Sequence, residues 1–276
     1  MELPVRGEAV RSLGLRLPPG PMPLLRGTRP LKRWRYVGYY GSDLMFCVGD
    51  ARIGPVPQRW WAIAFPDGRI AGRTTLRHGG VHSQRNGVSV SADGVSFGLS
   101  LAESEGVEIA SPTSEGHYIW TRKQANVPAR GLVQTHDLLK PIEGHAFVDE
   151  SAGYHDRHTV WKWSAGNGVA HDGRVVAWNL VTGVHDAPVS SERTLWVDGE
   201  PAEVGPVAFA PDLSSVAFAE GGFLEFSEWA SREEDTNMLL MRSRYRQPFG
   251  TFTGKLPGGI ELAEGYGVME EHDVHW

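Results

Sequence analysis

Glycine directly after Asp or Asn is the feature that most constrains this chain. The dipeptides Asp67-Gly68, Asn86-Gly87, Asp93-Gly94, Asn167-Gly168, Asp172-Gly173 and Asp198-Gly199 recur at short intervals. Each suits a tight hairpin turn, which needs the positive φ that Asn, Asp and Gly tolerate. Pro211-Asp212, Gly221-Gly222 and Pro257-Gly258-Gly259 add further breaks. Between the breaks sit runs rich in aromatic and β-branched residues, at 34–40, 60–65, 88–101, 118–121, 159–164, 174–182, 194–197, 223–229, 238–245 and 260–269. Many short strands separated by turn signals predict an all-β sandwich or barrel. Only 227–237 has helical character, and it is short and acidic.

Alternation is legible within the runs. Thr159, Trp161 and Trp163 share one strand face, and Val160 and Lys162 the other. Val176, Trp178, Leu180 and Thr182 oppose Val175, Ala177, Asn179 and Val181. A strand apolar on both faces suits a sheet buried on both sides, or a wall between a core and a cavity. Asn179 then needs a hydrogen-bond partner in a dry place. Residues 1–31 are rich in Pro and Arg, with Val5, Ala9, Val10 and Leu13 spaced for a short helix before Pro18-Pro19-Gly20-Pro21. They predict an arm across the surface. The segment 135–144, with Pro141 and Gly144, breaks the β pattern, which predicts β domains over 32–140 and 141–276.

A chain of 276 residues accommodates one large β domain or two smaller ones. The net charge of −6 does not favour nucleic acid as a partner. With Cys47 alone no intramolecular disulfide forms, which points to a reducing, cytoplasmic setting. Cys47 lies in an apolar run and reads as buried filler rather than a nucleophile. Residues 1–20 carry Arg6, Glu8, Arg11 and Arg16 and have no apolar core of signal-peptide length. No stretch approaches the roughly 18 apolar residues of a membrane-spanning helix. No nucleophile elbow, phosphate loop or dinucleotide fingerprint is present, and no cofactor is expected.

Two constellations could carry chemistry. The first runs Tyr154-His155-Asp156-Arg157-His158-Thr159-Val160-Trp161-Lys162-Trp163. His155 and His158 could bind a metal with His145 or Asp156, but no third ligand sits at diagnostic spacing and none is assigned. They could equally be polar groups at a ligand cavity, or one could bond backbone while the other faces solvent. The second is the C-terminal stretch, where Glu264, Tyr266, Val268, Glu270 and His272 share a face and Gly265 and Gly267 allow close backbone approach. A carboxylate beside an imidazole suits acid–base work; a solvated acidic tail is the plainer reading. The ten tryptophans are mostly expected in the core.

Several blocks carry a family resemblance: Lys32-Arg33-Trp34-Arg35-Tyr36, the 153–166 stretch, Ala177-Trp178-Asn179-Leu180-Val181, Ser191-Glu192-Arg193, Trp196-Val197-Asp198-Gly199, Arg242-Ser243-Arg244-Tyr245-Arg246-Gln247-Pro248-Phe249-Gly250, and Glu264-Gly265-Tyr266-Gly267-Val268-Met269-Glu270. From Lys32 to Trp276 the chain resembles the DUF2804 family, which carries no known activity. That family is distantly similar to the tocopherol cyclase, carotenoid hydratase and AttH-like group. The resemblance implies two lipocalin-like antiparallel β-barrel or half-barrel domains in tandem. It supplies no catalytic residue to map.

Two readings follow. A carrier would hold a hydrophobic small molecule, isoprenoid or otherwise lipid-like, in an aromatic-lined barrel cavity. Its expected contacts are Tyr154, Trp161, Trp163, Trp178, Asn179 and Tyr266. A hydratase or cyclase would add a buried carboxylic acid that protonates an alkene, with tryptophan faces stabilising the cation. Candidate acids are Glu264, Glu271 and Asp156, with His155, His158 or His272 relaying protons. A third reading, a sugar-binding sandwich, expects exposed tryptophan pairs and no closed cavity.

Overall fold

The computed structural model describes residues 2–76, 79–238 and 241–276. Leu239 and Leu240, within the expected run 238–245, lie outside the described residues. In chain order the elements are β1 (Val5–Arg6), a 3₁₀ helix (Gly7–Leu13), β2 (Leu25–Arg26), β3 (Arg29–Pro30), β4 (Lys32–Tyr40), β5 (Met45–Ile53), β6 (Val56–Ala64), β7 (Ile70–Thr75), β8 (Val81–Gln84), β9 (Gly87–Ala92), β10 (Val95–Leu101), β11 (Val107–Pro112), β12 (Tyr118–Gln134) and β13 (Leu139–Gly153). There follow β14 (His158–Ala170), β15 (Val175–Thr182), β16 (Thr194–Val197), β17 (Glu200–Glu203), β18 (Val207–Phe209), β19 (Ser215–Phe218), β20 (Phe223–Met238), β21 (Met241–Leu256), a 3₁₀ turn (Pro257–Gly259) and β22 (Ile260–His275). The fold is all-β and its sheets are antiparallel, as the turn signals predict. The first sheet has the order β7-β6-β5-β4-β13-β12-β10-β9-β8, with β11 pairing β12 and β1 pairing β11. The second has the order β17-β16-β15-β14-β22-β21-β20-β19-β18.

Turn chemistry explains most of the boundaries. Asn86, Asp93 and Asp198 adopt positive φ of 70°, 54° and 51° at their hairpins. Asn167-Gly168 departs from the expectation, because both residues lie inside β14. A Cβ at Gly168 would sit 2.2 Å from the Glu264 carbonyl oxygen, so this glycine admits a neighbouring backbone rather than making a turn. The helical character of 227–237 is also overridden. That stretch is part of β20, paired along its length with β21, and strand pairing outweighs weak local propensity. The break at 135–144 is the tip of the β12–β13 hairpin, closed by Thr135 N–H donating to Leu138 O at 2.8 Å. β13 pairs with both β12 and β4. The chain therefore changes sheet between Gly153 and His158, not at residue 140. The arm holds a 3₁₀ helix rather than an α-helix, and packs Val5, Val10 and Leu17 against Trp120, Ala152 and Tyr154.

Each sheet curls over its own core. Phe46, Trp61, Phe97 and Val148 fill the first, and Trp178, Leu224, Phe252 and Met269 the second. A third core joins the outer faces of the sheets, with Tyr36, Cys47 and Phe147 from the first against Trp163, Val181, Phe249 and Val268 from the second. Cys47 is fully buried there, as its apolar surroundings predict, and burial pushes its thiol up to about 12. Beside this core, the segment 183–193 docks on the first sheet. The buried Arg193 guanidinium ties it together by donating to Asp186 O at 2.9 Å, Ala187 O at 2.7 Å and Val204 O at 3.2 Å. Glu192 then reaches across: Lys123 Nζ lies 2.6 Å from Asp149 and 3.3 Å from Glu192, and Thr121 donates to Glu192 at 3.1 Å. His185 Nδ1 bonds Ser111 Oγ at 2.9 Å.

Two stability outcomes follow from this packing. Lys123→Met leaves two buried carboxylates without their cation and lowers unfolding free energy by about 3 kcal/mol or more; adding Asp149→Asn and Glu192→Gln recovers part of the loss in urea denaturation. Gly166→Ala sets a methyl 2.2 Å from the Trp178 ring and 2.7 Å from Tyr266 O. Overpacking of this kind costs roughly 1–3 kcal/mol, read as a lower urea midpoint at unchanged m-value.

Candidate functional site

The cleft forms where the inter-sheet core opens toward one end. The interiors of the two curled sheets hold packed side chains, so the hollow expected inside a barrel lies between the sheets instead. Its volume is about 140 Å³. Strand alternation along β22 turns Glu270, His272, Val274 and Trp276 into it. Register sets Trp163 across from Glu270 and Trp161 across from His272 on β14, with Tyr245 of β21 on the other side of His272. Trp34, Tyr36, Trp60, Lys123 and Asp149 of the first sheet form the facing wall.

Glu270 is the centre of this floor. It is 8% exposed. Its Oε1 accepts from Trp161 Nε1 at 2.8 Å; its Oε2 accepts from Tyr245 OH at 2.7 Å and from Gln247 Nε2 at 3.0 Å. Among the described residues no cation pairs with it. Burial raises its pKa above the ordinary carboxylate value, against the lowering pull of the Tyr245 and Trp161 hydrogen bonds. Arg232 packs over the rings of Tyr245 at 4.7 Å and Trp60 at 5.8 Å, while its guanidinium pairs with Glu234 at 2.7 Å. His272 stands edge-on to Trp161 with centroids 4.4 Å apart, and its Nε2 bonds Ser243 Oγ at 2.7 Å. Burial pushes its pKa down to about 3, so the ring is neutral near pH 7. His155, deeper in the cleft, is 2% exposed, and its ring packs against Trp34 at 5.0 Å and Trp276 at 6.1 Å. Burial, followed by the charge of Lys32, lowers its pKa well below the usual histidine value.

The structure gathers some of the expected residues and disperses others. Trp161, Trp163, His155 and His272 line the cleft. Asn179 has the partners its burial demands, since its Oδ1 accepts from Trp163 Nε1 at 2.8 Å and its Nδ2 donates to Glu192 O at 2.9 Å. It supports the wall from behind. Trp178 points the other way, into the core of the second sheet against Phe252 at 4.9 Å. Tyr154 packs under the N-terminal arm and donates to Pro23 O at 2.8 Å. Glu264 is exposed at the far end of β22 and accepts from Tyr266 OH at 3.2 Å. Glu271 occupies the opposite face of the strand. His158 is exposed, bonds Asp273 at 2.9 Å and stacks on His275 at 3.8 Å. Asp156 accepts from the Ser114 backbone at 3.1 Å, away from the cleft.

The cleft residues missed from sequence are the buried carboxyl Glu270, its donors Tyr245 and Gln247, and Trp34, Trp60, Arg232 and Trp276. Alternation had already set Glu270 on the face of His272. Its three donors come from two other strands and have no local signature. As for a metal, His155 and His158 do not converge. His158, Asp273 and His275 instead bring their ligand atoms within 4.8 Å of one another on the exterior.

A family model described as a domain of unknown function, DUF2804, matches residues 71–276. Among solved structures, the AttH-assigned protein of Nitrosomonas europaea aligns at TM-score 0.50 and 13% identity, over 94% of this chain and 99% of that one. Kievitone hydratase from Nectria haematococca aligns at TM-score 0.53 and 12% identity, over 88% of this chain and 89% of that one. At such identities the likeness is one of fold. No curated protein matches the sequence. The family match covers most of the chain, including every strand of the cleft floor, and the chain therefore belongs to the DUF2804 family.

Proposed function

We propose that the cleft binds one end of a hydrophobic small molecule, isoprenoid or similarly lipid-like, and catalyses acid-type hydration or cyclisation of it, with Glu270 as the proton donor. One observation carries this reading: a buried carboxyl with no ion-pair partner among the described residues, raised above the ordinary carboxylate range, on an aromatic floor. The volume of about 140 Å³ limits what enters. It is close to the roughly 150 Å³ that holds a single benzene ring, so it suits one isoprene unit, with the rest of a longer chain lying outward past Trp34 and Trp60. All ten tryptophans are buried or half-buried, which speaks against a sugar-binding surface.

In the proposed step the Glu270 O–H proton passes to one alkene carbon, forming a C–H bond from the π pair. The adjacent carbon becomes a cation, which the faces of Trp161, Trp163 and Tyr245 stabilise. Water, or a second double bond of the same molecule, supplies the electron pair that closes the new bond. The proton released returns to the Glu270 carboxylate. Tyr245, Trp161 and Gln247 hold the carboxylate during that interval. One of the structures sharing the fold is a hydratase, so the fold is compatible with such chemistry; the assignment to this chain rests on the cleft.

Incubation with farnesol or geranylgeraniol in deuterium oxide is expected to place one deuterium on carbon per turnover. Glu270→Gln retains binding and loses at least about a hundredfold in rate. Because the acid must be protonated, turnover falls as pH rises through the raised Glu270 pKa, which lies above the unperturbed value of about 4.3. Recovery of an unaltered lipid from wild-type protein, with no deuterium incorporation into any isoprenoid alkene, would favour carriage and sink the acid role.

A further inference from the structure

The first sheet has a second opening, apart from the central cleft. It is a cleft of about 770 Å³ between the N-terminal arm at Pro18–Met22 and the ends of β4, β5, β12 and β13. Its wall concentrates positive charge in a chain whose net charge is −6. Four of its arginines are neutralised: Arg11 pairs with Glu108, Arg35 and Arg122 share Glu150 and Glu103, and Arg59 pairs with Asp50 at 3.1 Å. Arg33, Arg52 and Arg85 have no carboxylate partner among the described residues. Arg33 and Arg52 moreover stand directly opposite each other across β4 and β5. Like charges in that position are destabilising, so fold stability alone does not account for them.

An uncharged donor points the same way. Trp120 is 3% exposed and lines this cleft on the sheet face of Arg33 and Arg122. Trp120 Nε1 has no hydrogen-bond partner among the described residues, and neither has the Nε of Arg35. A buried donor left unpaired costs about 1–3 kcal/mol. Three unpaired arginine forks and an indole N–H present donors here, while the carboxylates of the cleft, Asp50 and Glu150, are engaged by Arg59, Arg35 and Arg122; this is the chemistry that recognises phosphate or carboxylate oxygens. Arg11 secures the arm above them, donating to Pro18 O at 2.6 Å with its guanidinium 5.7 Å from the Trp120 ring.

We propose that this cleft is a binding site for a small molecule bearing a multiply charged oxyanion, phosphate or carboxylate, held by Arg33, Arg52 and Arg85 with Trp120 Nε1 as an orienting donor. The site is independent of the function proposed for the central cleft.

Inorganic pyrophosphate and citrate are the probes, titrated by calorimetry and thermal denaturation against sodium chloride of equal ionic strength. At least one of the two is expected to bind wild-type protein and raise its melting temperature. Pyrophosphate alone identifies a phosphoryl ligand and citrate alone a carboxylate one. Arg33→Gln/Arg52→Gln weakens that binding by about tenfold or more, while its ligand-free melting temperature stays level or rises because the repulsion is gone. Trp120→Phe keeps the ring and loses the N–H, and weakens binding without the double variant's gain in stability. Glu270→Gln binds the anion as wild type does. Absence of binding by both anions, or equal binding by the double arginine variant, overturns the proposal.

Discussion

Two sheets that each curl over a private core can bury their outer faces only against one another. This constraint organises the molecule. The third core, with Tyr36, Cys47 and Phe147 against Trp163, Phe249 and Val268, is where that burial happens. Near its end the packing becomes polar. Lys123 is wedged between Asp149 and Glu192, and both carboxylates lose their water with it. Burial alone would lower the Lys123 pKa; its two partners more than offset this and raise it. Burial in turn raises Asp149 against the pull of Lys123. Buried ion sets of this kind add little net stability, but they tolerate the loss of a partner badly. Such sets can fix registry instead; here they join segment 183–193, between β15 and β16, to the first sheet.

The same desolvation shapes the chemistry of the cleft. His155, His185 and His272 all have pKa values lowered by burial, whereas Glu270 has one raised by it. One cause moves acids up and bases down, and leaves a neutral imidazole within an aromatic step of a protonatable carboxyl. Such an arrangement opposes stability in acid. Groups whose folded pKa is depressed contribute stability above their unfolded value of about 6.5 and lose it as pH falls through the folded one. Raised carboxyls act in the opposite sense over the range above their own unfolded pKa.

Much of the architecture was legible along the chain. Turn dipeptides located hairpins because positive φ is a local, steric requirement met by few residues. Alternation placed Trp161 and Trp163 on one face and Glu270 with His272 on another, because side-chain direction follows from the strand period alone. The misreadings share a cause. Gly168 looked like a turn because a glycine that makes room for a neighbouring strand is locally indistinguishable from one that bends the chain. Residues 227–237 looked helical because their propensity was counted without β21 beside them. The supposed boundary near residue 140 looked like a link because a long hairpin with Pro141 in one arm breaks the pattern as a linker does.

Periodicity and turn chemistry act over a few residues, so the amino-acid sequence by itself determined that this chain is antiparallel β, where most of its strands turn, and which side chains share a face. Which face meets which is a matter of pairing over distances of up to two hundred residues. Only the tertiary structure could decide that Trp178 supports a core while Trp163 lines a cleft, that Glu264 is solvated while Glu270 is dry, and that Arg33 and Arg52 confront each other beneath the arm. Burial sets protonation and reactivity, and burial is a property of what the rest of the chain lays over a residue.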